Sequence, residues 1–174
     1  MGLFNLFGSK QKEDLLELQR LVLVDSPNKL IMSEKQLKAT AAQTAARDLE
    51  IIQDCLRLIE NTTNPDTFFS RLSLLAEKAD RLRSFEKYIK FSGASPSAAY
   101  GEYWEKRQEC IKQFLFRCYS DACHKAESAK TAKGKISKFQ KYMDTLQPYY
   151  DQMDDANISF IKTRFMASIQ RLQA

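Results

Sequence analysis

NPDTFFSRLSLLAEKADRLRSFEKYI, residues 64–89, decides the fold class. Its apolar residues fall at Phe68, Leu72, Leu75, Ala79, Leu82, Phe85 and Ile89. Steps of three and four lay them along one face of a helix, whereas a strand would alternate every second residue. The start is marked as well. Asn64 is a good cap, Pro65 suits the first helical position, and Asp66 lies where the positive end of the helix dipole favours a carboxylate. A helix over 65–90 with one continuous apolar stripe requires partners of the same kind.

The preceding segment supplies one. Ser33 followed by Gln36 is a capping-box pattern, and the stripe Leu37, Ala41, Ala45, Leu49, Ile52, Leu56, Ile59 predicts a helix over 34–60. Its first half is built from small residues, which allow close helix approach. The connection Asn61-Thr62-Thr63-Asn64 is short, so the two helices are expected to form an antiparallel hairpin. Before it, Leu15, Leu16, Leu18, Leu21 and Val22 predict a helix from Lys12 that stops near Ser26-Pro27.

After the hairpin, Gly93 and Ser95-Pro96 are expected to end one helix and start another, running from Pro96 to Ala129 with Tyr103, Ile111, Phe114, Leu115, Cys118 and Ala122 inward. At 1.5 Å per residue such a helix would reach about 50 Å, so a bend near Gly101 or Ser120-Asp121, or a projecting end, is expected. A polar break around Gly134 precedes a short helix carrying Ile136, Phe139, Met143 and Leu146 and stopped by Pro148. Asp154 or Asp155 caps a last helix with Ile158, Ile161, Phe165, Ile169 and Leu172. The reading is an all-α bundle of five to six helices, with residues 1–10 as an N-terminal amphipathic segment and 11–174 as a single helical domain.

Composition agrees. The 174 residues contain 44% apolar residues but only five Gly and four Pro, which favours long helices over a turn-rich sheet. Four cysteines stand far apart in a chain large enough to fold without staples, which points to reduced thiols and a cytoplasmic setting. No stretch approaches the roughly 18 apolar residues of a membrane span. The opening MGLFNLFGSK lacks the pattern of a secretory signal, and Leu6 occupies the position where myristoylation wants Ser or Thr. Leu3, Phe4, Leu6 and Phe7 nonetheless form a small apolar foot that could touch a membrane surface or tuck into the domain.

Catalytic and metal-binding chemistry finds little support. His124 is the single histidine and has no nucleophile at a familiar spacing. On one helix, steps of about 100° per residue spread Cys110, Cys118, Cys123 and His124 around the circumference, so they do not converge on a metal. Asp151, Asp154 and Asp155 lack the alternate ligands and glycine of a calcium loop. Pro65-Asp66 matches half of a nuclease signature without the following Asp-x-Lys or Glu-x-Lys. Neither a phosphate-binding glycine loop nor a GxSxG elbow is present. A non-enzyme without cofactor or metal is expected.

Two binding patterns remain. Lys125, Lys130, Lys133, Lys135, Lys138 and Lys141 stand against the single acid Glu127, a run able to contact phosphates or simply to keep a helix solvated. The net charge of +5 permits polyanion binding without demanding it. Tyr100, Tyr103, Trp104, Tyr149 and Tyr150 flank two irregular points, as aromatics do at protein interfaces and at the wet edges of cores. If the two groups meet in space they form an interface. The charges of Arg71, Lys78, Arg81, Arg83, Lys87 and Lys90 alternate with Glu77, Asp80 and Glu86, which suggests mutual support along a solvated helix.

The segment NPDTFFSRLSLLAEKADRLRSFEKYIKFSGASPSAAY, with LQPYYDQMDD further on, resembles an uncharacterised all-helical region of bacterial and phage proteins. That region is entered by Asn-Pro-x-x-Phe-Phe-x-Arg and restarts at Ser-Pro, and the resemblance spans residues 47–165. In some relatives it stands beside a HIRAN-type DNA-associated domain, which this chain lacks. The resemblance implies a nucleic-acid or defence-related association and carries over no catalytic residue. The reading that follows is a non-catalytic, protein-binding helical domain of a bacterial or phage accessory protein. The alternative is nucleic-acid binding through 125–141, and the weaker one peripheral membrane association through the N-terminus. Self-association is compatible with each.

Overall fold

The computed structural model describes residues 3–91, 101 and 104–174, with side chains for 9–91, 101 and 104–174. The described residues form six α-helices and one 3-10 segment, with no strand among them. They are α1 (Leu3–Val22), α2 (Glu34–Asn61), α3 (Pro65–Phe85), α4 (Arg107–Glu127), α5 (Ala132–Leu146), the 3-10 segment Gln147–Gln152 and α6 (Asp155–Gln173). The expected all-α class is what the chain adopts.

Two compact units can be distinguished. Unit 1 comprises Met1–Asp54 and Leu74–Gly101, and unit 2 comprises Cys55–Ser73 and Glu102–Ala174, so α2 and α3 each contribute to both.

In unit 1 the core is Leu18 of α1, Leu37, Ala41 and Ala45 of α2, and Leu82 and Phe85 of α3, with Leu15, Leu21, Leu30, Met32 and Tyr88 packed around them. The capping box forms as expected: the Ser33 N–H donates to Gln36 Oε1 at 2.9 Å and the Gln36 N–H donates to Ser33 Oγ at 3.4 Å. Leu37, Ala41 and Ala45, early in α2, share this cluster with Leu82 and Phe85, late in α3, as expected of antiparallel helices joined by a short connection. Leu49 departs from the expected stripe and is 39% exposed; Asp48 is fully buried instead. Its carboxylate accepts from both Arg81 Nε, at 2.6 Å, and Arg81 Nη2. Arg81 therefore belongs to a fork-shaped buried pair rather than to the solvated charge ladder suggested by its neighbours.

A second polar group is sealed in unit 1. Gln19, fully buried on α1, donates from Nε2 to Ser26 Oγ at 2.9 Å and to the Lys29 carbonyl at 3.0 Å, and accepts from the Ile31 N–H at 2.9 Å. One side chain thereby supplies backbone partners to the loop between α1 and α2, which has no ladder of its own. Helix α1 begins at Leu3 and continues through Gly8-Ser9, earlier than the start expected at Lys12. A single glycine inside a helix costs only about 1 kcal/mol and does not oblige a break.

Unit 2 packs α4, α5 and α6 pairwise around Phe114, Leu115, Cys118, Phe139, Ile161 and Phe165. The start of α3 adds Phe68, stacked on Phe114 with ring centroids 4.0 Å apart, and Phe69, edge-on to Phe114 at 5.8 Å. Helix α4 spans Arg107–Glu127, shorter than the helix expected over 96–129, and runs unbroken through Ser120-Asp121, one of the two places where a bend was expected; Asp121 pairs with Lys125 one turn on. The expected restart at Pro96 lies outside the described residues. The expected polar break is present but lies at residues 128–131, ahead of Gly134: Thr131 caps α5 by accepting from the Gly134 N–H at 3.1 Å, so the glycine lies in the first turn. Asp154 caps α6 through the Asn157 N–H at 2.7 Å.

Candidate functional site

The turn between α2 and α3 is fixed by two side chains of α4. Arg117 donates from Nη2 to the Ile59 carbonyl at 2.6 Å and from Nε to the Thr62 carbonyl at 3.4 Å, satisfying the end of α2. Burial holds its guanidinium below the ordinary arginine value. Cys118 donates to the Thr63 carbonyl at 3.5 Å, and burial pushes its thiol up to about 12. With the turn tied down, Asn64 caps α3 by accepting from the Thr67 N–H at 3.1 Å.

A cleft of about 560 Å³ opens beside this turn. One wall is Thr63, Asn64, Pro65 and Asp66. The other is Lys125 of α4 with Lys138, Lys141, Tyr142 and Thr145 of α5. The α5 residues recur at steps of three and four, so they share one face of that helix. Three lysines of the sequence run are thus brought together.

Their electrostatic situations differ. Lys125 Nζ donates to Asp121 Oδ2 at 2.8 Å and to the Tyr142 hydroxyl at 2.7 Å, and stands 5.3 Å above the Tyr142 ring. The Tyr142 hydroxyl itself donates to Asp121. The Asp121 bond, then the Tyr142 bond, holds the Lys125 ammonium above its ordinary range. Burial pushes the Asp121 carboxyl upward, but the hydrogen bonds from Lys125 and Tyr142 outweigh it and leave the carboxyl low. Lys125 and Asp121 therefore cancel as charges. Lys138 and Lys141 are exposed and make no hydrogen bond or ion pair among the described residues. On the opposite wall the Asp66 carboxylate accepts from the Tyr149 hydroxyl, a bond that raises the Tyr149 phenol above its usual value.

The remaining lysines go elsewhere. Lys135 borders a shallower hollow of about 240 Å³ with Glu127, Phe139 and Arg171, and Lys130 and Lys133 line neither cavity. Each three-residue step on a helix turns about 300°, so Lys135 and Lys141 end roughly 120° apart around α5. The six lysines of the sequence run do not form one stripe.

Of the aromatic candidates, Tyr149 stacks on Phe69 with centroids 4.6 Å apart, and Tyr150 lies under Lys162 Nζ at 4.7 Å. Trp104 is 53% exposed with the Arg107 guanidinium 5.3 Å above its ring. Tyr100 and Tyr103, and with them the question of whether the two aromatic groups meet, lie outside the described residues, as do the side chains of Leu3, Phe4, Leu6 and Phe7. No helix among the described residues is long and apolar enough to cross a membrane.

A feature missed by sequence reasoning is Arg164 of α6, whose guanidinium lies 4.8 Å from the Phe160 ring, 5.5 Å from Tyr119 and 5.6 Å from Phe116, with Phe116 52% exposed. The spacing of Phe160 and Arg164, one helical turn, was the available signal. The other half, Phe116 and Tyr119, comes from a different helix. His124 is open to solvent, 3.7 Å from Glu127. Among the described residues no group of three or more His, Cys, Asp or Glu side chains gathers as metal ligands would. Compared with protein-family models, curated proteins and solved structures, the chain finds no match in any of the three.

Proposed function

We propose that this chain is a non-catalytic helical domain that binds nucleic acid, gripping backbone phosphate in the cleft between the start of α3 and the exposed face of α5. One observation carries the reading: Lys138 and Lys141 line a shared cleft without forming an ion pair, while Lys125 beside them is neutralised. An unpaired ammonium gains little for the fold, and phosphate oxygens are strong acceptors for it. None of the four cysteines forms a disulfide, which suits a reducing, cytoplasmic setting.

The test is the salt dependence of binding to a single-stranded oligonucleotide. Two unneutralised lysines predict a slope of log K against log salt of about −1.4, whereas engagement of all six would give about −4. Binding that ignores salt, or none at low salt, refutes the reading.

A second reading, docking of a protein, is favoured by the Arg164 cluster. Arginine and aromatic side chains are enriched at the centres of protein interfaces, and Phe116 is a large exposed ring. Partners recovered from lysate after nuclease digestion, and lost with Phe116→Ala and Arg164→Ala, would support it. Partners that vanish on digestion would count against it.

A further inference from the structure

The composition of the cleft narrows what it holds, on the premise that the nucleic-acid reading above is right. Because the lysine run splits around α5, it makes a compact grip and not a track along many phosphates. The N-terminus of α3 adds little to that grip. Pro65 has no N–H, Asn64 already accepts from the Thr67 N–H, and Asp66 places a carboxylate there. Anion binding therefore falls to Lys138 and Lys141.

Two free ammonium groups match a dianion better than a monoanion. An internal phosphodiester carries one charge, whereas a phosphate monoester near neutral pH carries between about 1.5 and 2. The opposite wall is of the other sign. Asp66 repels a phosphate but accepts a hydroxyl, so a phosphate drawn to α5 must bear a hydroxylated body that reaches toward α3. The volume, about 560 Å³, lies within the range of small-ligand pockets and far below what a duplex occupies. A strand end needs one exit for its backbone, and an internal nucleotide needs two.

We propose that the cleft takes a phosphate monoester carried on a sugar, as found at the phosphorylated end of a single strand, with the phosphate between Lys138 and Lys141 and the sugar facing Asp66. A free nucleoside monophosphate presents the same chemistry, and binding assays separate the two sources. The assay is fluorescence anisotropy of 3′-labelled single-stranded RNA, whose terminal ribose keeps a free 2′-hydroxyl, bearing either a 5′-phosphate or a 5′-hydroxyl, with AMP and inorganic phosphate as competitors.

The phosphorylated strand binds about tenfold more tightly, the value of one additional charge-assisted contact, and AMP displaces it. The Lys138→Gln/Lys141→Gln protein loses that advantage. Asp66→Asn weakens AMP while inorganic phosphate binds as well or better, a split that a general loss of charge attraction would not produce. Equal affinity for the two strands, both dependent on the lysines, overturns the end-phosphate inference while nucleic-acid binding stands. A preference that survives Lys138→Gln/Lys141→Gln overturns it by placing the site elsewhere. Lysine-dependent binding of AMP without any strand binding keeps the monoester inference, identifies the free nucleotide as its source and removes the nucleic-acid reading. The three substituted residues, Asp66, Lys138 and Lys141, are exposed, and circular dichroism verifies that the variants fold.

Discussion

Unit 1 and unit 2 treat their charges in opposite ways. In unit 1 the buried Asp48 is matched by the two-pronged guanidinium of Arg81, and the buried Gln19 uses both ends of its amide. In unit 2 Lys138 and Lys141 line a cleft and make no ion pair, although Asp66 lines the same cleft. Satisfied polar groups inside a core serve the fold, because leaving one unpaired is costly. Unsatisfied ones at a cleft cost little where water reaches them, and they remain available to a ligand. The contrast separates residues whose loss unfolds the protein from residues whose loss only silences it.

The largest expected effect comes from breaking the matched pair on its exposed side. Arg81 is a third exposed and Asp48 not at all, so Arg81→Ala strands a buried carboxylate and should cost about 3–5 kcal/mol in a urea titration. Asp48→Asn should cost less, since the guanidinium can turn to water. Equal losses would mean that the burial of Asp48 is not what sets the penalty.

Gln19→Ala comes next. It removes the acceptor for the Ile31 N–H and the donor to the Lys29 carbonyl, for an expected loss of about 1–3 kcal/mol. Amide exchange at Ile31 should accelerate with it. Smaller still is Asp154→Ala, which deletes the α6 cap and should cost about 1 kcal/mol by thermal denaturation. Cys118, buried and with its thiol pushed up to about 12, should resist alkylation at pH 8 in the folded protein and react only after denaturation. At the bottom of the scale, Lys138→Gln and Lys141→Gln should each stay within about 0.5 kcal/mol of the parent, as exposed substitutions away from caps and cores do.

Much of α3 is readable because one period rules it. Phe68 to Phe85 repeat at three and four, and every one of those positions that was expected inside is inside. Leu49 shows where the same rule misleads. Walking from Leu37 in steps of four drifts about 40° each time, so by the third step the buried face has moved to residue 48. Hydrophobicity favours Leu49 there, yet geometry buries Asp48, and only the arrival of Arg81 from another helix makes that tolerable. Cys55 replaces Leu56 on the inner face for the same reason.

The candidate site was legible in part. The lysine run announces possible phosphate contacts, but sequence spacing treats its six members as equals. Which of them are neutralised depends on Asp121 and Tyr142, and which share a cleft depends on the α2–α3 turn that Arg117 and Cys118 hold in place. Asp121 stands one helical turn from Lys125, a spacing the sequence does show, but Tyr142 reaches Lys125 only from another helix, and Arg117 and Cys118 act through the turn they hold. The Arg164 cluster is drawn from two helices and is hidden in the sequence for that reason.

The most direct measurement is the affinity of a single-stranded oligonucleotide over a salt series, for the parent protein and for Lys138→Gln/Lys141→Gln. The parent should show a log–log slope of about −1.4 and the double variant a slope near zero with weak binding. Parent and variant binding alike, or a parent that fails to bind even at low salt, would contradict the assignment of the cleft.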